Sequence, residues 1–490
     1  MSPPPSPSGS GKAARTGLIV LLLGLAVLRL VTAAFVPLAE DEAYYRLWSQ
    51  HLSLGYYDHP PMIAWWIRAG ITLVGDNALG VRLLTALGNL AATAIVFDIG
   101  RGLGDERTGL KAALFYNCTL TIGAAAALAV PDAPAGLFWI ATLWALAKAW
   151  RADGKPTLGW WLAAGAAAGL ATLSKYSALF MAPGVLLWLV ATPEGRRRLA
   201  GPGPWLAAAI AIALFAVNVG WNATHHWETF GKQFGRAAAH RLAPQYLAEF
   251  LVGQFVLLNP AIAILAGAGA ARAWGERNGQ SSAWLMLATG APFAAYLMLH
   301  SLHDRVQAHW PVPLYGPAAI LAAWATDKAV GWRAALARWA PLGLAVSVIA
   351  LAHAAIPADL GPGDPALQLR GWPRFAKDVR RQAGTAWIGA VSYGTNAQLL
   401  AADHAMPALQ INERERYADF AADAGLDLSK PGLVVDLERR IDREKLQACF
   451  ADVGSVTEID RGAVKAGDER YAVVRVSGPK VDILRQGCGD

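Results

Sequence analysis

The stretch Thr16–Val31, TGLIVLLLGLAVLRLV, contains a single charged residue, Arg29. A helix needs about 20 mostly apolar residues to cross the hydrocarbon core of a bilayer, and this stretch with its flanks provides them. Similar apolar runs, such as Leu206–Val217, recur along the chain, and only 16% of all residues are charged. Soluble domains carry roughly 25% charged residues. The sequence therefore predicts an α-helical polytopic membrane protein.

Eleven segments are long and apolar enough to be predicted as spans. In chain order they are 17–38, 83–100, 110–130, 133–149, 157–173, 176–192, 204–221, 246–271, 283–300, 312–327 and 335–356. With a cytoplasmic N-terminus, the loops on that side contain 11 Lys and Arg in 45 residues, and the opposite loops contain 8 in 83. Lys and Arg concentrate in cytoplasmic loops. We therefore predict a protein of the bacterial inner membrane whose C-terminus faces the periplasm.

The N-terminal end differs in composition from this membrane part. Ser2–Gly11 is rich in Ser, Pro and Gly, which predicts a disordered cytoplasmic tail over 1–16 and a retained first helix after it rather than a cleaved signal peptide. The transmembrane domain is predicted over 17–356. The net charge of +7 is concentrated in the short cytoplasmic loops, so it indicates topology and no nucleic-acid partner.

After Ile356 the composition becomes that of a soluble domain, which predicts a small α/β domain over 357–490 on the outer face. Three segments have the pattern of strands: Trp387–Tyr393, Leu433–Asp436 and Tyr471–Val476. Two segments have the pattern of helices: Asn396–His404 and Arg439–Phe450. Cys449 and Cys488 would share an oxidising compartment, where disulfides persist, and the sequence leaves open whether they pair. Cys118 lies in an apolar segment and is expected to pack there.

The first outer loop carries three consecutive carboxylates, Glu40-Asp41-Glu42, directly after a span. Ionisable groups beside lipid are costly and usually functional. Glycosyl transfer to a hydroxyl needs a carboxylate that removes the acceptor proton, so Asp41 is the candidate base and Glu42 its support. The alternative is an acidic turn that caps a helix, since Asp and Glu favour helix N-termini. Further along the loop, Met62–Val74 is apolar but too short to span, and is predicted as an interfacial helix.

Positive charge is the second requirement, because a sugar phosphate leaves as a weakly basic phosphate that needs stabilisation rather than a general acid. The candidates on the predicted outer face are Lys175, Arg236, Arg241 and Arg305. For each of them the alternative is a side chain that snorkels to the membrane interface. Lys175 has the least room to do so, because the loop around it is only a few residues long.

Asp132 occupies the tip of the tight turn Pro131-Asp132-Ala133-Pro134, where the alternative to a catalytic role is a plain turn-forming residue. Histidines of the outer loops, His240 among them, could bind a divalent ion together with Asp58. Their spacing matches no recognised metal signature. The expectation is a reaction that requires no cofactor, and a metal ion bound by Asp58 and His240 is the alternative.

Taken together, these motifs resemble those of the polyprenyl-phosphate-dependent GT-C glycosyltransferases. That superfamily includes protein O-mannosyltransferases, lipid A aminoarabinose transferases and rhizobial lipid A galacturonosyltransferases. The resemblance covers about residues 17–320. It rests on the order and sidedness of the motifs Asp41-Glu42, Tyr56-Tyr57-Asp58-His59-Pro60-Pro61, Pro131-Asp132-Ala133-Pro134, Ser174-Lys175-Tyr176 and His309-Trp310-Pro311-Val312-Pro313.

The resemblance implies a catalytic centre at Asp41 and Glu42, with Asp132 also in a catalytic position. Residues implied to contact the sugar or the acceptor are Tyr57, Asp58, His309 and Trp310. The compact C-terminal domain differs from the β-trefoil insertions of eukaryotic O-mannosyltransferases, which disfavours a protein acceptor of that kind.

The resemblance implies that Asp58 and His59 contribute to donor-phosphate or metal contacts. It also implies phosphate contacts from Lys175 and from an Arg in the loop before the eighth span. Arg236 and Arg241 match that Arg equally well, and Arg305 is a further candidate. His59 stands where aminoarabinose transferases have Lys, which makes the charge at this position dependent on pH.

The predicted function is that of an inverting glycosyltransferase that moves a sugar from a polyprenyl-phosphate carrier to a periplasmic or membrane-lipid acceptor such as lipid A. Its partners would be the donor, a glycolipid or other envelope acceptor, and membrane lipids. One alternative is a transporter or flippase of lipid-linked sugars, which would have ionisable groups near the bilayer midplane or paired repeats. Another is a scaffold with a periplasmic binding domain, which would leave the motifs between Asp41 and Pro61 unexplained. The sugar and the acceptor stay open.

Overall fold

The structure is a computed structural model. It describes residues 9–125, 127–152, 156–235, 242–356, 360–361, 364–417, 426–462 and 470–488. The chain forms two compact units. The first unit comprises Met1–Ala34 and Leu54–Ala352, and the second comprises Phe35–Ser53 and His353–Asp490. The three carboxylates Glu40-Asp41-Glu42, called the acidic segment below, therefore belong to the same unit as the C-terminal part of the chain. The sequence did not indicate this grouping.

Helices account for nearly all regular structure up to residue 355. In chain order they are α1 (Gly9–Phe35), α2 (Glu40–Gln50), α3 (Met62–Val74), α4 (Ala78–Leu103), α5 (Glu106–Cys118), α6 (Leu120–Ala125), α7 (Asp132–Arg151), α8 (Pro156–Thr172), α9 (Met181–Val190), α10 (Pro193–Leu199), α11 (Pro202–Thr224), α12 (Glu228–Gly235), α13 (Gln245–Leu257), α14 (Pro260–Gly275), α15 (Ser281–His300), α16 (Val312–Ala325), α17 (Trp332–Trp339) and α18 (Leu342–Ala355). A 3-10 helix, Tyr176–Phe180, precedes α9.

The predicted membrane character is confirmed. Within the described residues, five helices are long and apolar enough to cross a bilayer: Lys12–Phe35, Ala78–Leu103, Pro202–Thr224, Ser281–His300 and Trp332–Ala355. Two bent helix pairs raise this number to seven if each pair forms one span. Helices also occupy the remaining predicted spans, and the total of eleven stays a prediction.

Two details of the predicted spans differ from the structure. The predicted tail over 1–16 overlaps α1, which begins at Gly9. The residues Lys12-Ala13-Ala14-Arg15 favour helix, so the helix extends beyond the apolar run that marked the predicted span. The predicted span 246–271 corresponds to the pair α13 and α14, which is bent by 100°, because Pro260 begins a new helix there.

The one charge of the first span is held by a polar network inside the first unit. Arg29 is buried and donates a hydrogen bond to the side-chain oxygen of Asn117. The amide nitrogen of Asn117 donates in turn to Thr93 Oγ1 at 3.1 Å. This network joins α1, α5 and α4, and gives the guanidinium a polar partner within an apolar bundle.

Close helix contacts in the first unit depend on glycine. A Cβ at Gly165 on α8 would collide with the backbone of Ala207 on α11, and a Cβ at Gly269 on α14 would collide with the carbonyl of Leu321 on α16. Small residues let helices approach closely, which is the main source of packing attraction where no water drives association. These contacts hold together the helices that carry the outer loops.

Asn259 connects three breaks in the helical backbone. It is buried, has a φ of 73°, and caps α14 by accepting a hydrogen bond from Ala261 N–H at 3.1 Å. Its side-chain nitrogen donates to the carbonyls of Cys118 at 3.2 Å and Ala340 at 2.9 Å. Those carbonyls lie where α5 ends and where α17 gives way to α18. A single amide therefore satisfies backbone groups that broken helices leave exposed to an apolar interior.

The second unit contains the predicted α/β domain. Its strands are β1 (Trp387–Ala390), β2 (Ala408–Gln410), β3 (Gly432–Leu437), β4 (Phe450–Val453), β5 (Thr457–Ile459) and β6 (Tyr471–Pro479). Its helices are α19 (Trp372–Ala383), α20 (Tyr393–Ala402), α21 (Arg443–Cys449) and α22 (Ile483–Gln486). The strand order is β2-β1-β3-β6-β4, with β5 beside β6, and β2, β1 and β3 run parallel while β6 is antiparallel to β3.

The three predicted strands correspond to β1, β3 and β6. The predicted first strand was too long, because the segment after Ala390 turns and Ser392 caps α20 by accepting a hydrogen bond from Thr395 N–H. Apolar residues cover both faces of the sheet, with Phe375 and Val379 on one face and Trp387 and Phe450 on the other.

A disulfide joins Cys449 to Cys488, with their Cα atoms 5.6 Å apart. It ties α21 to the C-terminal end of the chain. The pairing that the sequence left open is therefore present in the structure. Cys118 is a buried free cysteine, as expected for a packing residue.

We expect Asn259→Gly to lower the melting temperature of the purified protein in detergent. Glycine keeps the positive φ, but the loss of the amide leaves buried carbonyls without their donor, at about 1–3 kcal/mol for each such group. Intrinsic tryptophan fluorescence during heating measures the change, and the exposed Asn278→Gly is the matched control. Equal melting temperatures for Asn259→Gly and wild type would contradict this role.

The disulfide can be tested by counting thiols. We expect the denatured wild-type protein to take up one maleimide tag before reduction, at Cys118, and three after it, because the chain contains three cysteines. A Cys449→Ser variant should melt earlier, since the 39-residue separation closed by the bond corresponds to about 4 kcal/mol of loop entropy. Three tags before reduction, in protein isolated with its disulfides intact, would exclude the bond.

Candidate active site

A cavity of about 180 Å³ with a partly polar lining lies in the first unit. Its lining combines one lysine, one histidine and several aromatic rings: His59, Lys175, Tyr176, Ser177, Phe180, Gln233, Phe234, Phe293, Tyr296 and Trp310. Three of the predicted site residues, His59, Lys175 and Trp310, therefore share one cavity, although they come from three distant parts of the sequence.

Lys175 is the central cation of this cavity. It follows α8 and immediately precedes the 3-10 helix Tyr176–Phe180. Its ammonium lies 2.6 Å from Asp132 Oδ1 and 5.9 Å from the centre of the Trp310 ring. The side chains of Lys175 and Asp132 are only 12% and 4% exposed, so this is a largely buried ion pair. His309 Nε2 is 3.6 Å from the other oxygen of Asp132.

Asp132 owes its position to the start of α7. Pro131 precedes it, and Asp132 is the first residue of the helix. A carboxylate in the first turn interacts favourably with the positive end of the helix dipole. Asp132 is therefore more than a turn residue, because it holds Lys175 and faces His309.

A second buried ion pair anchors the Tyr57-Asp58-His59 motif. Lys232 Nζ lies 2.7 Å from Asp58 Oδ1, and these side chains are 13% and 12% exposed. The same ammonium is 4.1 Å from the centre of the Tyr57 ring. Gln233 donates to the backbone carbonyl of Asp58 at 2.6 Å. Helix α12 is thus bound to the first outer loop through both charge and backbone contacts.

The sequence motifs did not indicate Lys232, because the family pattern implies an Arg in this loop. Charge balance could have indicated Lys232, since a buried Asp58 needs a cation as its partner and Lys232 lies in another outer loop. Arg236 and Arg241 lie outside the described residues. Arg305 is paired with Glu249 at 2.9 Å, with both side chains largely exposed, and this hydrogen bond raises the pKa of Arg305.

The loop around His59 is fixed by backbone contacts. Tyr56 N–H donates to the carbonyl of His59 at 3.1 Å, and Met62 N–H donates to the carbonyl of Leu173 at 3.1 Å. The second contact joins the start of α3 to the segment that presents Lys175. A Cβ at Gly55 would collide with Trp221 on α11, so this position requires glycine. Helix α3 has the bounds predicted for the short apolar helix.

The predicted metal alternative involved Asp58 and His240. His240 lies outside the described residues, and Asp58 contacts Lys232. In the parts of the chain that the structure describes, no three His, Cys, Asp or Glu side chains converge in a way that could hold a metal ion. The reaction without a cofactor stays a prediction, with a metal ion bound by Asp58 and His240 as the alternative.

Asp41 and Glu42 belong to the second unit, in the first turn of α2. Glu42 is fully buried, and its carboxylate accepts a hydrogen bond from Ala39 N–H at 2.9 Å. Asp41 is half-buried, and its Oδ1 accepts a hydrogen bond from the Tyr393 hydroxyl at 2.9 Å. Burial raises the pKa of Glu40, an effect that the nearby Arg440 opposes. Glu42 thus caps α2, which matches the alternative of an acidic turn that caps a helix. Asp41 instead contacts the side chain of Tyr393 on α20.

The sequence matches the family model for dolichyl-phosphate-mannose-protein mannosyltransferase over residues 58–221. The lipid A galacturonosyltransferase of Rhizobium johnstonii is 31% identical over 63% of this chain and 65% of its own length. The undecaprenyl phosphate-α-4-amino-4-deoxy-L-arabinose arabinosyl transferase 1 of Pseudomonas fluorescens is 30% identical over 50% of this chain and 46% of its own. The chain thus spans less than two thirds of the length of these relatives.

Solved structures share the fold. The ArnT protein of Cupriavidus metallidurans bound to undecaprenyl phosphate has a TM-score of 0.67 at 15% identity, covering 95% of this chain and all of that one. The archaeal oligosaccharyltransferase AglB of Archaeoglobus fulgidus has a TM-score of 0.53 at 14% identity, covering 87% and 70% of the two chains. Together with the sequence relatives, these matches confirm the resemblance to the GT-C superfamily.

We expect the Asp58–Lys232 pair to show strong coupling in a double-mutant cycle. Asp58→Asn or Lys232→Met alone leaves one charge largely buried, which should destabilise the protein by about 3 kcal/mol. The double variant should lose less than the sum of the two. Chemical unfolding in detergent measures the four proteins, and the exposed Glu249–Arg305 pair, with Glu249→Gln and Arg305→Met, provides a control worth less than about 1 kcal/mol. Additive losses at Asp58 and Lys232 would contradict the pairing.

Proposed function

We propose that this chain, with its confirmed GT-C resemblance, is an inverting glycosyltransferase that takes its sugar from a polyprenyl-phosphate donor. The observation that carries the proposal is the buried Lys175–Asp132 pair at a cavity that also contains His59 and Trp310. A buried cation beside aromatic rings suits a sugar phosphate, because the ammonium can stabilise the phosphate while the rings pack against the sugar. The names of the sequence relatives support the same donor class.

A second cavity supports a donor with a lipid tail. It measures about 290 Å³, and its lining is almost entirely apolar, with residues from α8, α9 and α11 such as Trp161, Ala164, Val185, Leu186, Ala208 and Phe215. Ala178 and Leu179 line this apolar cavity, while Tyr176, Ser177 and Phe180 of the same 3-10 helix line the cavity that contains Lys175 and His59. A phosphate near Lys175 and the first isoprene units beyond it would match this change from polar to apolar lining.

On the donor side, Lys175 is proposed to bind the carrier phosphate, with His59 contributing when protonated. Donor binding would then exchange a carboxylate partner of Lys175 for a phosphate. Arg236 and Arg241 stay proposed as further phosphate contacts. The exposed pairing of Arg305 with Glu249 gives that residue less support.

On the acceptor side, Asp41 is proposed as the base that removes the proton of the acceptor hydroxyl while the hydroxyl oxygen attacks the anomeric carbon. The sugar–phosphate bond breaks as the new glycosidic bond forms, and polyprenyl phosphate leaves. One displacement at that carbon inverts its configuration. Glu42 supports the turn that presents Asp41, and the residues proposed to orient sugar or acceptor are Asp58, Asp132, Tyr57, His309 and Trp310.

The proposed acceptor is lipid A or another envelope glycolipid reached from the periplasmic side of the inner membrane. The name of the Rhizobium relative supports lipid A. The Cys449–Cys488 disulfide supports an oxidising compartment for the second unit, since such bonds are rare in the cytosol. A periplasmic location of the acidic segment follows from the same argument, because that segment belongs to the same unit.

The test is transfer by the purified protein. Undecaprenyl-phosphate-linked galacturonic acid and undecaprenyl-phosphate-linked 4-amino-4-deoxy-L-arabinose are supplied in separate reactions with lipid A, and the products are separated by chromatography and identified by mass. We expect one donor to give undecaprenyl phosphate and glycosylated lipid A in equal amounts. Movement of intact donor across vesicles without product would instead support a flippase.

Two substitutions separate the proposed roles. Asp41→Asn should lower kcat by about 100- to 10,000-fold, because the base is lost. Lys175→Gln should weaken donor binding and lower kcat/KM by about 100- to 1,000-fold, because stabilisation of the phosphate is lost. Asp76→Asn in the same outer loop and Lys328→Gln are exposed controls. Near-normal turnover by folded Asp41→Asn would exclude Asp41 as the base.

A further inference from the structure

The second unit has a crevice at the carboxyl ends of its parallel strands. After β1 the chain forms α20 and then β2 on one side of β1, whereas β3 pairs with the other side. Open parallel sheets bind their ligands at such a reversal of strand order, next to the first turn of the following helix. In this protein the first turn of α20 faces a segment of the chain itself, the start of α2.

The turn between β1 and α20 is rigid. Asp436, at the end of β3, is fully buried and accepts hydrogen bonds from Ser392 N–H at 2.6 Å and from Thr395 Oγ1 at 3.1 Å. Arg440 donates to Ser392 Oγ at 2.9 Å and lies 3.3 Å from Asp436. A buried carboxylate satisfied in this way fixes the backbone around it. Tyr393 and Gly394 are therefore presented in one defined position.

The acidic segment lies directly against this turn. A Cβ at Gly394 would lie too close to a carboxylate oxygen of Glu40, so a larger residue would displace that carboxylate. Gln398, one turn further along α20, donates to the carbonyl of Leu38 at 2.7 Å. Tyr393 donates its hydroxyl hydrogen to Asp41 Oδ1 at 2.9 Å. Three successive contacts therefore align the start of α2 along α20.

The ring of Tyr393 is itself held in place. The guanidinium of Arg416 lies 4.7 Å from its centre, and the ring of Tyr44 lies 4.8 Å away. Charged and titratable groups also face the same segment from each surrounding element. They are Glu40, Glu42 and Arg46 on α2, His404 beside Arg46, Glu413 paired with Arg416, Asp436 at the end of β3, Arg440 after β3, and Arg461. The hydroxyl of Tyr393 is thus directed at Asp41 by neighbours on two sides.

We propose that Tyr393 is a positioning residue for Asp41, and that the C-terminal domain uses its strand-end crevice to hold the catalytic acidic segment. The proposal rests on the proposed function of Asp41 as the base. A hydrogen bond donated to a carboxylate favours its ionised form, which a base needs, and restricts its rotamer. A carboxylate kept in one orientation reacts from a productive geometry more often than a mobile one.

The test is Tyr393→Phe, assayed with the donor that wild type accepts. We expect kcat to fall about 10-fold because the carboxylate loses its orientation, with no change in KM for the donor. The acidic limb of the kcat–pH profile should move to higher pH, since a carboxylate that loses a donated hydrogen bond is protonated more readily. Tyr471→Phe, a buried tyrosine on β6, is the matched control and should leave both readouts unchanged.

An unchanged pH profile and kcat in Tyr393→Phe would overturn the proposal, as would equal effects of Tyr471→Phe. If Tyr393→Phe fails to fold, Gln398→Ala provides a second test, because it removes the hydrogen bond to the Leu38 carbonyl that holds the acidic segment along α20. Folded Gln398→Ala with wild-type kcat would overturn the proposal. If wild type releases no undecaprenyl phosphate from either donor, the proposed function fails, and that outcome is distinct from a working enzyme that is indifferent to Tyr393.

Discussion

An apolar interior requires every backbone N–H and C=O to find a partner within the protein, and the first unit depends on this constraint wherever a helix breaks. Asn259 supplies the partner at three breaks together. At the helix ends that are predicted to face the cytoplasm, Arg198 donates a hydrogen bond to the carbonyl of Trp150, and Arg272 donates one to the carbonyl of Trp324. The arginines that indicate topology in the sequence therefore also complete helix ends, which links orientation in the membrane to the stability of the bundle.

The same constraint applies to charged side chains near the candidate site. Lys175 and Lys232 are each held by a carboxylate from another element, and each also lies near an aromatic ring. Separating such a pair without a substitute leaves a charge with little water around it, which is strongly unfavourable. A phosphate is the kind of anion that can replace a carboxylate beside an ammonium at similar cost. A site built from paired charges can thus be stable when empty and still bind an anion.

Much of this organisation could be predicted from the sequence, because it follows from local composition. Apolar runs indicated the helices, and the change after Ile356 indicated the α/β domain. The motif residues Lys175, Asp132 and His59 lie near one another because each lies in or beside a turn at the same end of neighbouring helices. The Asp58–Lys232 pair could not be predicted, since it depends on a contact between segments distant in sequence. The grouping of the acidic segment with the C-terminal domain could not be predicted for the same reason, because it also depends on contacts between distant segments.

The contact between Tyr393 and Asp41 joins residues 352 positions apart in the chain. The carboxylates precede α3 to α18 in the chain and the α/β domain follows those helices, so the carboxylates are synthesised well before the domain that holds them. The bundle helices can insert into the membrane while the ribosome is still at work, but the surroundings of Asp41 are complete only after the strands of the second unit have been synthesised and folded. Under the proposed function, a nascent or prematurely terminated chain would therefore occupy the membrane without consuming lipid-linked sugar.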